Sequence, residues 1–315
     1  MSYQDFMNNE VVPYLNERRE NFYLNDLFVS AFTCTKVNLF GTVVISHGYT
    51  ENIEKYRENI YRILQAGFNV VMHEHHGHGR SYRLVNDPTF TLVHTDMFER
   101  YVVELAMVAR EAKLRFPGTR LFLYSHSMGG GIGAAALAMY PNLFAKAVLS
   151  SPMIRPLTGS LPFFAAKLIA AVECALGFSR RRVPGQIIYE SKFIFERSSA
   201  TSRERFDYEE DIRFNELLFH NSRPSYGWVH EAARLNSFLM TKAPEKIVTP
   251  FMLFQADNDH LVDVKEQNRF VGKVLAAGRI KPVFIKVKGT KHEIFNSDDL
   301  TVKRYWKKIF DFYRG

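Results

Sequence analysis

Short apolar runs bounded by turn residues alternate with longer stretches of helical periodicity through much of this chain, which restricts it to βαβ units around a mostly parallel sheet. Residues 42–46 form the first clear strand. Residues 51–66 follow as a helix, with Ile53, Tyr56, Ile60 and Leu64 at helical spacing, one apolar stripe suited to packing on a sheet. The rhythm continues with a strand at 68–72, a helix at 95–115, a strand at 121–124, a helix at 128–140 stopped by Pro141, and a strand at 145–149. Strand-like runs resume at 249–255 and 283–287.

Between these two blocks the alternation breaks for about ninety residues. The expected organisation is a core made of residues 1–152 and 246–315, with residues 153–245 inserted as a mainly helical cap. Inside that insertion, residues 161–178 carry only Lys167 and Glu173 as charges and reach the lower length limit for a membrane span. Their position between core strands, their two charges and Pro162 argue against spanning. The expectation is a buried or substrate-facing cap helix, with transient contact to a lipid surface as its functional counterpart.

A chain of 315 residues, 46% hydrophobic and 23% charged, can bury a sizeable core. Cys34 and Cys174 offer no disulfide framework and no paired metal-ligand spacing, so a reducing compartment fits. Residues 1–10 lack a basic segment followed by an apolar one, and a cytoplasmic location is expected. The net charge of +8 is scattered apart from Arg180, Arg181 and Arg182, and no zinc-finger or RNP pattern accompanies it, so no nucleic-acid partner is expected.

The strongest local signal is Tyr124-Ser125-His126-Ser127-Met128-Gly129-Gly130-Gly131, lying between an apolar strand and a helix of small residues. This is the setting of a nucleophile elbow, in which a strained turn lifts the serine hydroxyl above the sheet. A serine there can also serve only as a helix cap. As a nucleophile it requires a base, and the base requires an orienting acid. The expected order is serine, acid, histidine. Asp259 is the candidate acid in the polar turn after 249–255, with Asp257 its rival two residues earlier. His292 follows the last strand, at the sheet edge where ligand sites of open α/β folds gather. Gly48 at the end of the first strand permits close backbone approach, and the N–H groups of Tyr49 and Met128 are the expected oxyanion donors. Candidates for substrate contact are His47, Gly48, His126, Met153, Phe163, Phe164, Trp228 and Val262.

The run His73-Glu74-His75-His76-Gly77-His78-Gly79 is dense in imidazole. Glycine stands at 77, where a zincin helix needs histidine and an H-x-H-x-D-H site needs aspartate. The expectation is a histidine-rich structural loop, with no metal and no cofactor.

Together these motifs resemble the lysophospholipase and monoacylglycerol lipase family of α/β-hydrolases over roughly residues 40–315. The likeness rests on His47-Gly48 with Glu51 and Tyr56, Gly77-His78-Gly79-Arg80-Ser81, His126-Ser127-Met128-Gly129-Gly130, Ser151-Pro152-Met153, Asp259 with Val262, and His292-Glu293. In the insertion, Thr201-Ser202 with Arg205-Phe206, and Pro224 to Trp228, look like the cap segments of bacterial lysophospholipases. The resemblance implies an α/β-hydrolase fold and hydrolysis of a single-chain lipid ester by Ser127, Asp259 and His292. It depart at two positions: Ser125 stands where glycine or alanine is usual, and Glu74 where aspartate is usual. A general carboxylesterase, a peptidase of the same superfamily and a non-catalytic binding member are the alternatives.

Overall fold

The apolar runs become strands of one sheet in the computed structural model, which describes residues 2–185, 189 and 191–315. In chain order the strands are β1 (Arg19–Leu24), β2 (Leu27–Phe32), β3 (Gly41–Ser46), β4 (Phe68–His73), β5 (Leu92–Val93), β6 (Leu121–His126), β7 (Lys146–Ser150), β8 (Arg223–Pro224), β9 (Phe251–Asn258) and β10 (Val283–Lys291). The eight-stranded sheet has the order β1-β2-β4-β3-β6-β7-β9-β10, and β5 pairs with β8 separately. The pairs β1–β2 and β2–β4 are antiparallel. All neighbours from β4 across to β10 are parallel.

Every residue of β2, β3, β4 and β6 is buried, which is why these strands read as continuous apolar runs: both faces of the sheet are covered. Alternation sorts their side chains between two cores. Val44, Val71 and Leu123 join the helices Phe98–Arg115, Ser127–Met139, Tyr226–Thr241 and Val264–Ala277 on one side. Val43, Ile45, Val70, Met72 and Phe122 join the helices Arg57–Gln65 and Asp299–Arg314 on the other.

Three elements differ from the sequence reading. The helix expected over 51–66 starts at Arg57, after a short 3-10 turn at Glu54–Tyr56. Glu51 and Asn52 spend their side chains on the N–H groups of Gly48 and Lys55, and such local bonds compete with helix formation. The β1–β2 hairpin was not anticipated; its turn holds Asn25 and Asp26 at φ 47° and 65°. Finally, the 161–178 stretch gives only a 13-residue helix, Phe163–Ala175. Among the described residues no helix is long and apolar enough to cross a membrane.

Between β7 and β9 lie the helices Phe163–Ala175, Arg203–Asn215 and Tyr226–Thr241. The last packs into the sheet's own core through Trp228, Ala232, Leu235 and Leu239. The other two sit farther out, and the carboxyl ends of β3, β6, β9 and β10 face the loops described next.

Candidate active site

Strand β6 delivers its chain into the helix Ser127–Met139 through Ser127 itself, whose φ of +52° is a left-handed conformation that a non-glycine residue adopts at a cost. The turn closes because glycine follows. A Cβ at Gly129 would lie 2.2 Å from the Ser46 carbonyl oxygen, and one at Gly130 would lie 2.7 Å from Pro152 Cα. The unusual Ser125 is accommodated in the same way. Its hydroxyl donates to the Val148 carbonyl across β7 at 3.0 Å, and Gly133, whose Cβ would meet that hydroxyl at 2.8 Å, leaves it room.

At the end of β9 the polar turn separates the two candidate acids. Asp259 accepts the N–H groups of Leu261 and Val262 on Oδ1, at 3.0 and 3.1 Å, and its Oδ2 lies 2.7 Å from His292 Nδ1. Burial alone would raise the Asp259 pKa, but the His292 imidazole and the two N–H groups hold it below the usual carboxylate range. Asp257 is exposed and instead accepts the Gly289 N–H at 3.4 Å. Gly289, at φ +71°, lies within the register shift that bends β10 as it leaves the sheet, just before His292. The Asp257 carboxylate thus braces the bend that precedes His292.

His292 is 2% exposed, and its Nε2 has no hydrogen-bond partner among the described residues. Its ring lies 4.8 Å from that of His126, the residue before Ser127, so the imidazole sits beside the elbow. His126 is held by the Ser150 carbonyl at 3.2 Å, and burial lowers its pKa to about 4, leaving it neutral.

The loop after β3 supplies the third side. His47 contacts the Gly48 carbonyl through Nδ1 at 2.7 Å and accepts the His75 N–H on Nε2 at 2.9 Å. Acceptance by Nε2 assigns the proton to Nδ1, and burial keeps the ring neutral, with a pKa lowered to about 4. A Cβ at Gly48 would lie 2.7 Å from Glu51 Oε2, so a larger residue there would displace the Glu51 carboxylate. Tyr49 comes next, its ring 4.6 Å from that of Trp228. Met128 is the second residue of its helix, within the first turn, whose N–H groups have no intrahelical acceptor.

Of the expected substrate contacts, His47, Gly48, His126, Met153, Trp228 and Val262 are buried around these loops. Met153 N donates to the Ser127 carbonyl at 2.7 Å, and Val262 N to Asp259. Phe163 is half-buried beneath Arg155. Phe164, expected to line a pocket, is 74% exposed on the outer face of its helix, while Ala166 and Ala170 point inward.

The imidazoles after β4 bond mainly to one another and to their surroundings, although His73 Nδ1 and His78 Nε2 are buried without a partner among the described residues. His76 reaches Glu104 at 2.8 Å and Thr95 at 3.1 Å, and His75 contacts Ser46 and His73, each at 3.1 Å. Among the described residues no group of three or more His, Cys, Asp and Glu side chains is placed to hold a metal. Glu74 accepts the N–H of Arg80 at 2.6 Å and of Ile53 at 3.2 Å, tying the Gly77–Gly79 turn to the loop after β3.

A mostly parallel sheet with helices on both faces, a strained serine leaving one central strand and an acid–imidazole pair leaving two others, makes this chain an α/β-hydrolase. Residues 38–299 match the family described as serine aminopeptidase, S33 (Hydrolase_4), and the chain belongs to that family. It is 29% identical to lysophospholipase L2 of Escherichia coli (strain K12) over 286 residues, 86% of this chain and 79% of that protein. It is 26% identical to the monoacylglycerol lipase of Mycolicibacterium smegmatis over 260 residues, 82% of this chain and 83% of the other. A solved structure of a soluble variant of Saccharomyces cerevisiae monoglyceride lipase, in complex with a substrate analog, shares the fold with a TM-score of 0.72 at 15% identity, covering 93% of this chain and 94% of that one.

Sequence reasoning missed Lys55 and Glu209, and named Arg205 only as part of a cap motif without its partners; all three join the loops around the site to the inserted segment. Lys55 stands four residues after Glu51, a spacing that signals a local ion pair but not the more distant partners it also reaches.

Proposed function

We propose that this hydrolase cleaves carboxylic esters of single-chain lipids, lysophospholipids or monoacylglycerols, through an acyl-enzyme on Ser127. The observation that carries the reading is His292: buried, oriented by Asp259 on one nitrogen and unpartnered on the other, beside the elbow. In this mechanism Nε2 takes the Ser127 proton as Oγ attacks the ester carbonyl. Asp259 stabilises the imidazolium that forms, and the N–H groups of Tyr49 and Met128 receive the oxyanion. Collapse of the tetrahedral intermediate breaks the bond to the alcohol, which leaves with the proton from His292. Water, activated by the same nitrogen, then releases the fatty acid.

The lipid half of the proposal is supported by the inserted segment and by the substrates for which the two relatives are named. In this reading the helices Phe163–Ala175 and Arg203–Asn215 of the 153–245 insertion act as a lid, with Phe163 on it and Met153, Val262 and Trp228 on the core. Outward, Leu161, Phe164, Leu168, Val172 and Leu176 form an exposed apolar stripe beside Lys167 and the Arg180–Arg182 run. That composition suits transient contact with a lipid surface. Cys34 and Cys174 are both free thiols, in keeping with a cytoplasmic location.

The test begins with Ser127→Ala, which should abolish both turnover and labelling by a fluorophosphonate probe while the protein still folds; persistent labelling overturns the nucleophile. Asp259→Asn should lower kcat by about four orders of magnitude, and a larger loss in Asp257→Asn would move the acid. In a panel of lysophospholipids, monoacylglycerols, short p-nitrophenyl esters and amino-acid amides, the lipid esters should give the highest kcat/KM. Preference for amides removes the lipid reading.

A further inference from the structure

One ammonium group, that of Lys55, lies among three carboxylates beside the proposed site. Its Nζ is 2.7 Å from Glu293 Oε1, 3.1 Å from Glu51 Oε1 and 3.7 Å from Glu209 Oε2. Asn296 closes the cluster, its Nδ2 donating to Glu293 at 2.7 Å and to Glu209 at 2.9 Å. Burial alone would lower the Lys55 pKa, yet the carboxylates raise it, so the cation persists. Burial, reinforced by the other two carboxylates, pushes Glu209 well above the usual range and towards its protonated form.

The three carboxylates come from three different parts of the molecule. Glu51 belongs to the loop after β3, where its Oε2 accepts the Gly48 N–H at 2.5 Å and the Tyr56 hydroxyl at 2.6 Å. It therefore sets the backbone that presents the Tyr49 N–H. Glu293 is the residue after His292, and its own N–H donates to the Ser199 carbonyl at 3.0 Å. Glu209 projects from the helix Arg203–Asn215 of the insertion. His126 stands between the first two, its Nε2 3.8 Å from Glu51 Oε1 and its ring 4.8 Å from that of His292. Apolar groups of similar volume often stabilise as well as a buried ion cluster does, so packing alone gives no reason for charge at this place.

We infer that Lys55 is a positioning residue: by bridging Glu51 and Glu293 it fixes the oxyanion loop relative to the base, and through Glu209 it makes that alignment depend on a seated insertion. This inference rests on the catalytic roles proposed above for Ser127, His292 and Tyr49. Removing the ammonium leaves carboxylates facing each other across the gap between the two loops. A misalignment of about 1 Å at reacting groups costs on the order of 100-fold in rate.

The experiment measures kcat and KM for a soluble p-nitrophenyl ester, with thermal denaturation as a check on folding. Lys55→Met should lower kcat roughly 10- to 100-fold with KM little changed. Lys55→Arg, which keeps the bridge, should recover most of the loss. Adding Glu293→Gln to Lys55→Met should restore part of it by removing one repelling charge. Glu209→Ala, which loses the longest contact, should cost less than Lys55→Met. A folded Lys55→Met protein with wild-type kcat, or an equal loss in Lys55→Arg, overturns the inference. Should Lys55→Met not fold, Glu293→Gln alone carries the test, and an unchanged kcat there is the refuting result. Turnover surviving in Ser127→Ala is a separate failure, sinking the catalytic reading itself rather than the bridge.

Discussion

Two helices of the insertion have the same length, 13 residues, and opposite characters. Phe163–Ala175 is apolar nearly all round, yet it buries only Ala166 and Ala170, and among the described residues neither Lys167 nor Glu173 makes an ion pair. Arg203–Asn215 is strongly polar, yet it is pinned to the core. Ser202 caps its first turn, Arg205 grips Glu58 through two bonds of 2.8 and 2.9 Å, and the same guanidinium reaches the Ser297 carbonyl at 2.9 Å. Thr201 and Ser202 also donate to the Asn296 carbonyl, in the loop after His292. Hydropathy therefore does not tell how either helix is held, for the apolar one packs along Tyr226–Thr241. Directed charge pairs hold the polar one in place, whereas the apolar one keeps much of its greasy surface turned outward, where another apolar phase can take it up.

The contrast is most open to breakage at Arg205. Replacing it with methionine removes a buried partner of Glu58 and should lower stability by about 3 kcal/mol in chemical denaturation; a loss below 1 kcal/mol would show that the polar helix is held by something else. Glu58→Gln should cost on the order of 2 kcal/mol near neutral pH. Arg205 and Arg62 hold the Glu58 pKa below its ordinary 4.5 against the opposing effect of burial. Its contribution is therefore complete above that value and disappears as pH falls through the depressed pKa. The gap between wild type and Glu58→Gln should narrow in acid, and a gap independent of pH would remove charge from the explanation. Amide hydrogen exchange sharpens the comparison further: Arg203–Asn215 should exchange about tenfold more slowly than Phe163–Ala175. Equal protection would erase the distinction. The smallest effect on stability belongs to Leu168→Asp on the exposed stripe, within about 0.5 kcal/mol. The same variant should bind anionic vesicles measurably less in a sedimentation assay, and unchanged binding would take the stripe out of membrane contact.

Much of the fold was legible because parallel strands buried on both faces leave uninterrupted apolar runs, and because the Ser127 elbow is a local motif whose glycines show in the sequence although the groups they make room for, Ser46 and Pro152, are distant along the chain. Asp259 was preferred to Asp257 in the sequence, but what separates them was not legible, since both lie at the end of β9 and the bonds from Leu261 and Val262 that fix Asp259 depend on how that turn closes. The β1–β2 hairpin escaped notice because Arg19, Glu20 and Asn21 dilute its alternation, although Asn25-Asp26 fits a type I′ turn with positive φ at both positions. Phe164 was misplaced for a different reason. A helix apolar on every side gives no phase from which to tell its inner face. Lys55 and Glu293, 238 residues apart, carry no pattern that would pair them.

Strand β10 pairs with β9 and ends the sheet, so among the described residues its outer backbone groups have no neighbouring strand. Lys286 and Lys288 stand exposed along it. Like charges at such a border discourage a strand from a second molecule from zipping on, and they give part of the chain's positive excess a colloidal purpose. The strand that carries the imidazole to its place thus bears the charges with which exposed sheet borders commonly resist recruitment into an aggregate.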